Sequence, residues 1–271
     1  MNMPYKQLSS GIDVPILGLG TWQLQGATCV EVIKKAFAIG YRHFDTAAIY
    51  KNHEAVAEGL AGKPRGDIFL VSKLWHEEHH PDLVEPALDR ALKELKTDYL
   101  DLYLVHWPKQ KAHFPEVMYE MEKMRKKGKI RSMGTCNATI HHMQDVLNQG
   151  LDIPVNQVEL HPFFQQEELA KFCRIKAIAI TAYSPLARGA VLESPVLQKL
   201  AEKHGKTAGQ IALAWCLKNN YIVIPKATSE KHLQENFAAS SLHLSQSDMD
   251  EIRAIDEDRR LILPDFAEFD Y

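Results

Sequence analysis

The feature that most constrains the fold of this chain is a series of eight short apolar runs that alternate with segments of helical periodicity. The runs begin near Ile16, Tyr41, Ile68, Asp101, Ile130, Val155, Ala177 and Tyr221. Most are about 22 to 33 residues apart, the length of a strand, a crossover helix and two short loops. Alternation of strand and helix predicts a parallel sheet with its helices outside, and eight such units predict closure into a (β/α)8 TIM barrel.

The connecting segments each have an apolar face at helical spacing, as Val32 and Ala36 illustrate. The longest gap, between the seventh and eighth runs, holds two such patterns, over residues 196–204 and 207–218. A further helix is expected over residues 247–255. The α/β barrel should therefore carry two extra helices beyond the eight that follow its strands.

The N-terminal segment 4–15 contains two extended pieces around Ser10-Gly11, which predicts a β-hairpin ahead of the barrel. No linker or low-complexity segment divides the chain, so residues 1–271 are expected to form a single domain. The N-terminus has no signal-peptide pattern, and no stretch approaches 18 consecutive apolar residues. We therefore expect a cytoplasmic protein without a membrane partner.

Composition argues against several functional classes. The net charge is -3, and the basic cluster at residues 123–129 ends a helical pattern, which favours a solvated helix end over a nucleic-acid surface. The four cysteines are far apart and form no CxxC pair, so neither a disulfide framework nor a zinc site is expected. The histidine-rich segments 76–80 and 141–142 also lack the spacing of a closed metal site. We expect a monomer that binds no metal.

Polar residues follow the apolar runs at the ends that share one edge of a barrel. Asp45 and Tyr50 follow the second run, Lys73 the third and His106 the fourth. A phenol has a pKa of roughly 10 and is a poor acid, but a cation in contact shifts such a pKa by roughly 1 to 3 units. We therefore expect Lys73 to bring Tyr50 toward the working range while Asp45 holds the lysine. The alternative is that Asp45 and Lys73 form only an ion pair at the barrel rim.

Aromatic residues share the same edge. Trp22, Trp75 and Trp107 each lie one or two residues beyond a strand end, which indicates a pocket with apolar walls. Trp215 lies within a helical pattern and is expected in the core. The C-terminal tail, which contains Phe266, Phe269 and Tyr271, has two open interpretations: it folds over the pocket, or it seals a barrel edge.

Six segments resemble, in order and spacing, the signature segments of the aldo-keto reductases: GYRHFDTAAIY, VSKLW, DLYLVHWP, PVNQVELHP, AYSPLARG and IPKATSEKHLQEN. With its short loops, the chain is most similar to the bacterial 2,5-diketo-D-gluconate reductase type. The resemblance implies hydride transfer between a nicotinamide and a carbonyl carbon. It implies a catalytic tetrad of Tyr50, Asp45, Lys73 and His106, with Tyr50 as proton donor.

The resemblance also implies which residues bind small molecules. The implied substrate contacts are Trp22, Tyr50, Trp75, His106 and Trp107. The implied cofactor contacts are Gly20, Thr21, Asp45, Cys136, Asn137, Gln157, Tyr183, Ser184, Leu186, Arg188, Gly189, Lys226, Ala227, Thr228, His232, Glu235 and Asn236. Short loops after the fourth and seventh strands favour small polar carbonyls, keto-sugars or dicarbonyls over steroid-like substrates.

The phosphate end of this set has independent support, because barrels commonly bind phosphate at the loops after strands seven and eight and at a helix N-terminus. Thr228 or Ser229 is the expected N-cap of that helix. This chain has Cys136 and Ala227 where most relatives have serine, and His232 where they have arginine. Arginine is the better phosphate clamp, so we expect NADPH as cofactor with NADH use possible.

Two other functions remain open on the same barrel. Lys73 could form a Schiff base, as in lyases and aldolases, or the protein could be a non-catalytic nucleotide-binding protein. A Rossmann site is not expected, since Gly18-Leu19-Gly20 lacks the third glycine and indicates close backbone packing instead.

Overall fold

The computed structural model describes residues 3–109 and 113–271. Its first element is the expected hairpin, in which β1 (Tyr5–Gln7) pairs antiparallel with β2 (Asp13–Pro15). Eight parallel strands follow in sequential order: β3 (Leu19–Gly20), β4 (His43–Asp45), β5 (Phe69–Leu74), β6 (Leu100–Val105), β7 (Ile130–Cys136), β8 (Val155–Glu159), β9 (Ala179–Tyr183) and β10 (Ile222–Val223). The loop after β6, whose shortness entered the substrate expectation, includes residues 110–112, which lie outside the described residues.

The sheet closes on itself between its first and last strands. Leu17 bridges Val223 in parallel, the Gly18 amide donates to the Val223 carbonyl at 2.8 Å, and the Val223 amide donates to the Ile16 carbonyl at 2.9 Å. The (β/α)8 barrel is therefore confirmed. Closure leaves the eight-stranded sheet without an exposed edge, which removes a common route to aggregation.

Ten α-helices surround the barrel within the described residues: α1 (Gly26–Ile39), α2 (His53–Leu60), α3 (Pro81–Leu95), α4 (Phe114–Lys126), α5 (Ile140–Asn148), α6 (Glu167–Ile175), α7 (Pro195–His204), α8 (Ala208–Lys218), α9 (Glu230–Ala238) and α10 (Gln246–Arg253). The two extra helices are α7, in the β9 to β10 connection, and α10, after α9. Trp215 on α8 is buried, as expected. The basic cluster after α4 pairs with α3 through Lys127 and Lys129, which both bond Glu85.

The strands extend further than their apolar runs. Lys73 is the fifth residue of β5, and the ladder with β6 continues through Leu74 and Val105. Asp45 is also within its strand, as the last residue of β4, rather than after it. The expected strand ends were therefore too early. The top layer of inward-facing side chains is polar here, while Asp45 and Lys73 still have backbone partners on the neighbouring strands.

Candidate active site

A buried ion pair lies at the centre of the polar layer. Lys73 Nζ donates to Asp45 Oδ1 at 2.5 Å and to the Thr46 carbonyl at 2.8 Å, and Gln157 Nε2 donates to Asp45 Oδ2 at 2.8 Å. Burial lowers the pKa of Lys73, but Asp45 and then Tyr50 outweigh it, so the pKa is above its usual range. The ammonium is therefore charged and fully enclosed, and Asp45 and Thr46 fix its position.

The phenol lies directly above this pair. Tyr50 ends the short 3-10 turn Ala48–Tyr50 that follows β4, and Lys73 Nζ is 5.2 Å from the centre of its ring. Burial raises the pKa of Tyr50 to about 12, while Lys73 acts in the opposite direction. The expected lysine effect is present with the expected sign. The expected net acidification is wrong, because removing the phenolate from water outweighs one lysine.

His106 follows β6 on the other side of the phenol. Its ring centre is 5.9 Å from that of Tyr50 and 5.2 Å from that of Trp75, both edge-on. Its Nδ1 is buried without a partner among the described residues. Burial, then Lys73 and His76, hold the pKa of His106 well below its usual range. The imidazole is therefore neutral at physiological pH, and Nε2 is the nitrogen left to serve the cavity.

These groups line the floor of a cavity of about 700 Å³ at the carboxyl ends of the strands. Trp22, Trp75, Trp107 and Phe266 form its aromatic walls, and Trp22 is the most exposed of them at 46%. The cavity brings together most of the residues expected to contact a substrate or cofactor: Gly20, Thr21, Trp22, Asp45, Tyr50, Trp75, His106, Trp107, Cys136, Asn137, Gln157, Tyr183, Ser184, Leu186, Arg188, Gly189 and Lys226. Lys73 acts on it only from beneath Tyr50.

Two amide side chains and a phenol ring form one end of the cavity. Asn137 follows β7 with φ of 58°, its Oδ1 accepts from Tyr183 Oη at 2.7 Å, and its Nδ2 donates to the His106 carbonyl at 3.1 Å. Cys136 is buried beside it, and burial raises the pKa of its thiol above the usual range. The thiol is therefore neutral, whereas Asn137 and Gln157 supply the strong polar groups of this end.

The opposite end carries cations. Four residues of the loop after β9 have positive φ, namely Ser184, Ala187, Arg188 and Gly189, and all but Ala187 line the cavity. Lys226 is exposed after β10, and its Nζ donates to Gln23 Oε1 at 3.1 Å. Ser229, rather than Thr228, is the N-cap of α9, with Oγ accepting from the His232 amide at 3.2 Å. Ala227, Thr228, His232, Glu235 and Asn236 lie beyond Lys226 and do not line the cavity.

Comparison with known proteins decides the family. The sequence profile described as "Aldo/keto reductase family" matches residues 16–257. The chain belongs to the aldo/keto reductase family. It is 40% identical over 259 residues to the glyoxal reductase of Bacillus subtilis (strain 168), covering 94% of each chain. It is 39% identical over 261 residues to the methylglyoxal reductase DkgA of Escherichia coli (strain K12), again covering 94% of each.

Solved structures agree with this assignment. A crystal structure of an aldo/keto reductase from Brucella melitensis superposes with a TM-score of 0.91 at 39% identity, covering 94% of this chain and 99% of that one. The crystal structure of Gox0644 in its apo form superposes with a TM-score of 0.94 at 35% identity, covering 99% of this chain and 100% of that one. This aldo/keto reductase is therefore an oxidoreductase that acts on carbonyl groups and uses a nicotinamide cofactor.

Sequence reasoning missed several residues that line the cavity of this aldo/keto reductase: Gln23, Ile49, Pro185, Ile224, Pro225, Ile262 and Pro264. The first five lie within two residues of ones that were expected there, so proximity along the loops could have found them. Ile262 and Pro264 carried no such signal. They belong to the C-terminal tail, and nothing local in the sequence tells where the tail runs.

The tail does both things that the sequence left open. Phe266 lines the cavity and packs edge-on against Trp75 and Trp107, with ring centres 5.8 and 5.6 Å apart. Beyond the cavity, Tyr271 Oη donates to Asp145 Oδ2 at 2.6 Å and so holds the chain end against α5. The tail of this reductase thus crosses the cavity mouth and then covers the outside of the barrel.

Residues 3–109 and 113–271 contain neither a metal-site arrangement nor a membrane-spanning helix. No group of three or more histidine, cysteine or acidic residues there has the arrangement of a metal site, the segments 76–80 and 141–142 included. None of the helices in that part of the chain has the length and apolar character needed to cross a membrane.

Proposed function

We propose that this enzyme reduces small aldehydes and ketones, dicarbonyls foremost, to alcohols with NADPH, and that Tyr50 donates the proton. One observation carries the proposal: a fully buried Lys73–Asp45 ion pair lies beneath a phenol that faces an aromatic-walled cavity, next to a neutral histidine. These are the groups that protonate and orient a carbonyl oxygen, and they meet at the edge where barrels hold their chemistry.

Each residue has a separate task in this scheme. The bound nicotinamide supplies the hydride that attacks the carbonyl carbon. Tyr50 gives its proton to the oxygen as negative charge develops there, and its high pKa keeps that proton in place until then. Lys73 stabilises the phenolate that remains, and Asp45 keeps the lysine charged. His106, being neutral, offers an N–H to the same oxygen and fixes its direction.

The two ends of the cavity fit the two ends of a nicotinamide dinucleotide. Asn137, Gln157 and the Tyr183 ring offer amides and an aromatic face, which suit a carboxamide-bearing ring. Arg188 and Lys226 at the other end suit phosphate groups. The Schiff-base alternative is disfavoured because Lys73 does not line the cavity and its Nζ already bonds Asp45 and Thr46.

The substrate class follows from the walls and from the relatives. Three indoles and Phe266 enclose the space above Tyr50, so the pocket favours a compact substrate with an apolar face. Two of the similar proteins are named for the reduction of glyoxal and methylglyoxal. Both compounds are small, uncharged dicarbonyls, which is consistent with such walls.

A spectrophotometric assay tests the proposal. Methylglyoxal, glyoxal, simple aldehydes and keto-sugars are offered to the enzyme, and loss of the NADPH absorbance is followed. We expect turnover with the dicarbonyls and a higher kcat/KM with NADPH than with NADH. No loss of absorbance with any carbonyl would favour a non-catalytic nucleotide-binding protein. Labelling of Lys73 by borohydride plus substrate would favour the lyase.

A further inference from the structure

We infer that Glu159 is a positioning residue that holds the C-terminal wall of the substrate cavity in place. Glu159 ends β8, its side chain is fully buried, and it does not line the cavity. A buried carboxylate requires compensating partners. The partners of Glu159 identify its role, because two of them are backbone amides of the tail.

Each oxygen of the Glu159 carboxylate accepts one hydrogen bond from the tail backbone. Oε1 accepts from the Leu261 amide at 2.7 Å, and Oε2 accepts from the Ile262 amide at 2.9 Å. His161 Nε2 is 3.0 Å from Oε1 and is equally buried. Charge-assisted hydrogen bonds to consecutive amides fix both the position and the direction of the backbone. The tail is therefore fixed at Leu261 and at Ile262, the residue with which it enters the cavity wall.

The preceding part of the tail contacts the loop that follows Glu159. The Phe163 carbonyl, in the loop after β8, accepts from the amides of Glu257 at 3.2 Å and Arg259 at 3.0 Å. The Arg260 guanidinium lies 4.5 Å from the Phe164 ring centre and 3.7 Å from that of Phe269. The Arg260 guanidinium is half-buried, whereas the Glu159 carboxylate is fully buried.

The tail is held at both ends and lines the cavity in between. After Glu159, the wall residues Ile262, Pro264 and Phe266 cross the mouth, and the Tyr271 to Asp145 hydrogen bond closes the far end. A segment with so few residues between two attachments loses its fixed course if one attachment is released. The substrate contacts at greatest risk are those of Ile262, next to the carboxylate. Lys73 is held by Asp45 and Thr46, which are outside the tail.

Glu159→Gln tests this role with little change in volume. The amide NH₂ would face a backbone N–H, so one tail donor loses its acceptor. We expect a rise in KM of about 10-fold for a bulky aromatic dicarbonyl such as phenylglyoxal, which needs the tail wall, and less than about 2-fold for methylglyoxal. The kcat with either substrate should stay within about 2-fold, since the reacting groups are untouched.

Limited trypsin digestion gives a second readout that is independent of catalysis. Release of the tail exposes the bonds after Arg259 and Arg260, so Glu159→Gln should be cut there about 10-fold faster than the parent enzyme. Leu261→Pro removes one donor from the tail side of the same contact, outside the barrel. It should give the same rise in KM and faster cleavage after Arg259 only, because trypsin does not cut before proline and the site after Arg260 is lost. Asp265→Asn is the matched control, since it neutralises an exposed tail carboxylate away from the two cleavage sites and from Glu159.

Two results would overturn the role of Glu159. One is parental cleavage rates together with parental KM values in both Glu159→Gln and Leu261→Pro. The other is an equal rise in KM for both substrates with a loss of kcat, which indicates general damage. The kinetic arm depends on the proposed function, whereas the trypsin arm does not. If no carbonyl is reduced but the tail is released, the proposed function fails and the attachment role survives.

Discussion

At the scale of single residues, Tyr50 carries the chemistry that the cavity supports. Tyr50→Phe keeps the ring and its packing but removes the transferable proton. Activity should fall by roughly 10² to 10⁴, the usual contribution of a placed proton donor. NADPH affinity, measured by fluorescence titration, should be nearly unchanged. Tyr119→Phe, at an exposed phenol on α4, is the control. Retained turnover in Tyr50→Phe would exclude it as the acid.

His232 bears on cofactor choice. It is exposed on the first turn of α9, where an arginine would present a planar fork to a 2′-phosphate. His232→Arg should raise the ratio of kcat/KM with NADPH to that with NADH by about 10-fold, since a charge-assisted hydrogen bond contributes roughly 1.5 to 3 kcal/mol. Lys231→Arg is the matched control, because the neighbouring position is already cationic. An unchanged ratio in His232→Arg would place the 2′-phosphate elsewhere.

Residue types alone predicted which side chains form the polar layer, but not how burial and neighbouring charges combine to set their pKa values. Lys73, Asp45 and His106 could be named from the motifs because each follows or ends an apolar run. The pKa of Tyr50 could not be predicted from the sequence, since it depends on how much water the folded barrel removes from the ring. The same holds for Glu159, whose side chain was visible in the sequence while its partners in the tail were not.

At the scale of elements, the seam between β3 and β10 closes the barrel and borders the cavity. A Cβ placed on Gly20 would lie 2.7 Å from the Ile224 carbonyl oxygen, a backbone atom with little freedom to move. Gly20→Ala should therefore reduce the free energy of unfolding by about 1 to 3 kcal/mol, the usual cost of overpacking. Urea denaturation measures this change.

Gly66→Ala is the matched control for the seam. A Cβ at Gly66 would meet no atom within 4 Å, and its backbone does not have positive φ. This change should be neutral or stabilise by about 0.4 to 1 kcal/mol, because alanine restricts the unfolded chain. Equal effects of the two substitutions would show that the seam tolerates a methyl group. The prediction of close packing at Gly18-Leu19-Gly20 is confirmed, since Gly18 is equally crowded by the His43 ring.

Element types were predictable because strand and helix periodicities differ, and each of the eight units repeats the same alternation. The residues at which the strands end were less predictable. Asp45 and Lys73 are polar, yet their strands continue because neighbouring strands still supply backbone partners. Near the ends of barrel strands, polar side chains point into the cavity. The apolar run in the sequence therefore ends before the backbone hydrogen-bond ladder of the strand does.

At the scale of the whole molecule, several buried histidines have lowered pKa values because burial disfavours their charged form. They are His43, His53, His79, His106 and His142. Such a group binds a proton more readily in the unfolded chain than in the folded one. Its contribution to stability is therefore present above the unfolded pKa of 6.5 and is lost as pH falls toward the folded value. Acid should destabilise this barrel well before its carboxylates protonate.

His79 provides the sharpest test of that expectation. It is 5% exposed, neither ring nitrogen has a partner among the described residues, and burial, with Lys109, His142, His113 and His76, lowers its pKa to about 4. His79→Phe removes the titration and forfeits no hydrogen bond within that part of the chain. Between pH 7.5 and 4.5 the parent enzyme should lose about 2 to 3 kcal/mol more unfolding free energy than the variant. The constant cost of a larger ring cancels in this comparison.

His243→Gln, at an exposed position, is the control and should follow the parent curve. Parallel curves for the parent and His79→Phe would mean that His79 accepts its proton without disturbing the fold, and acid sensitivity would then have to originate from the other four histidines.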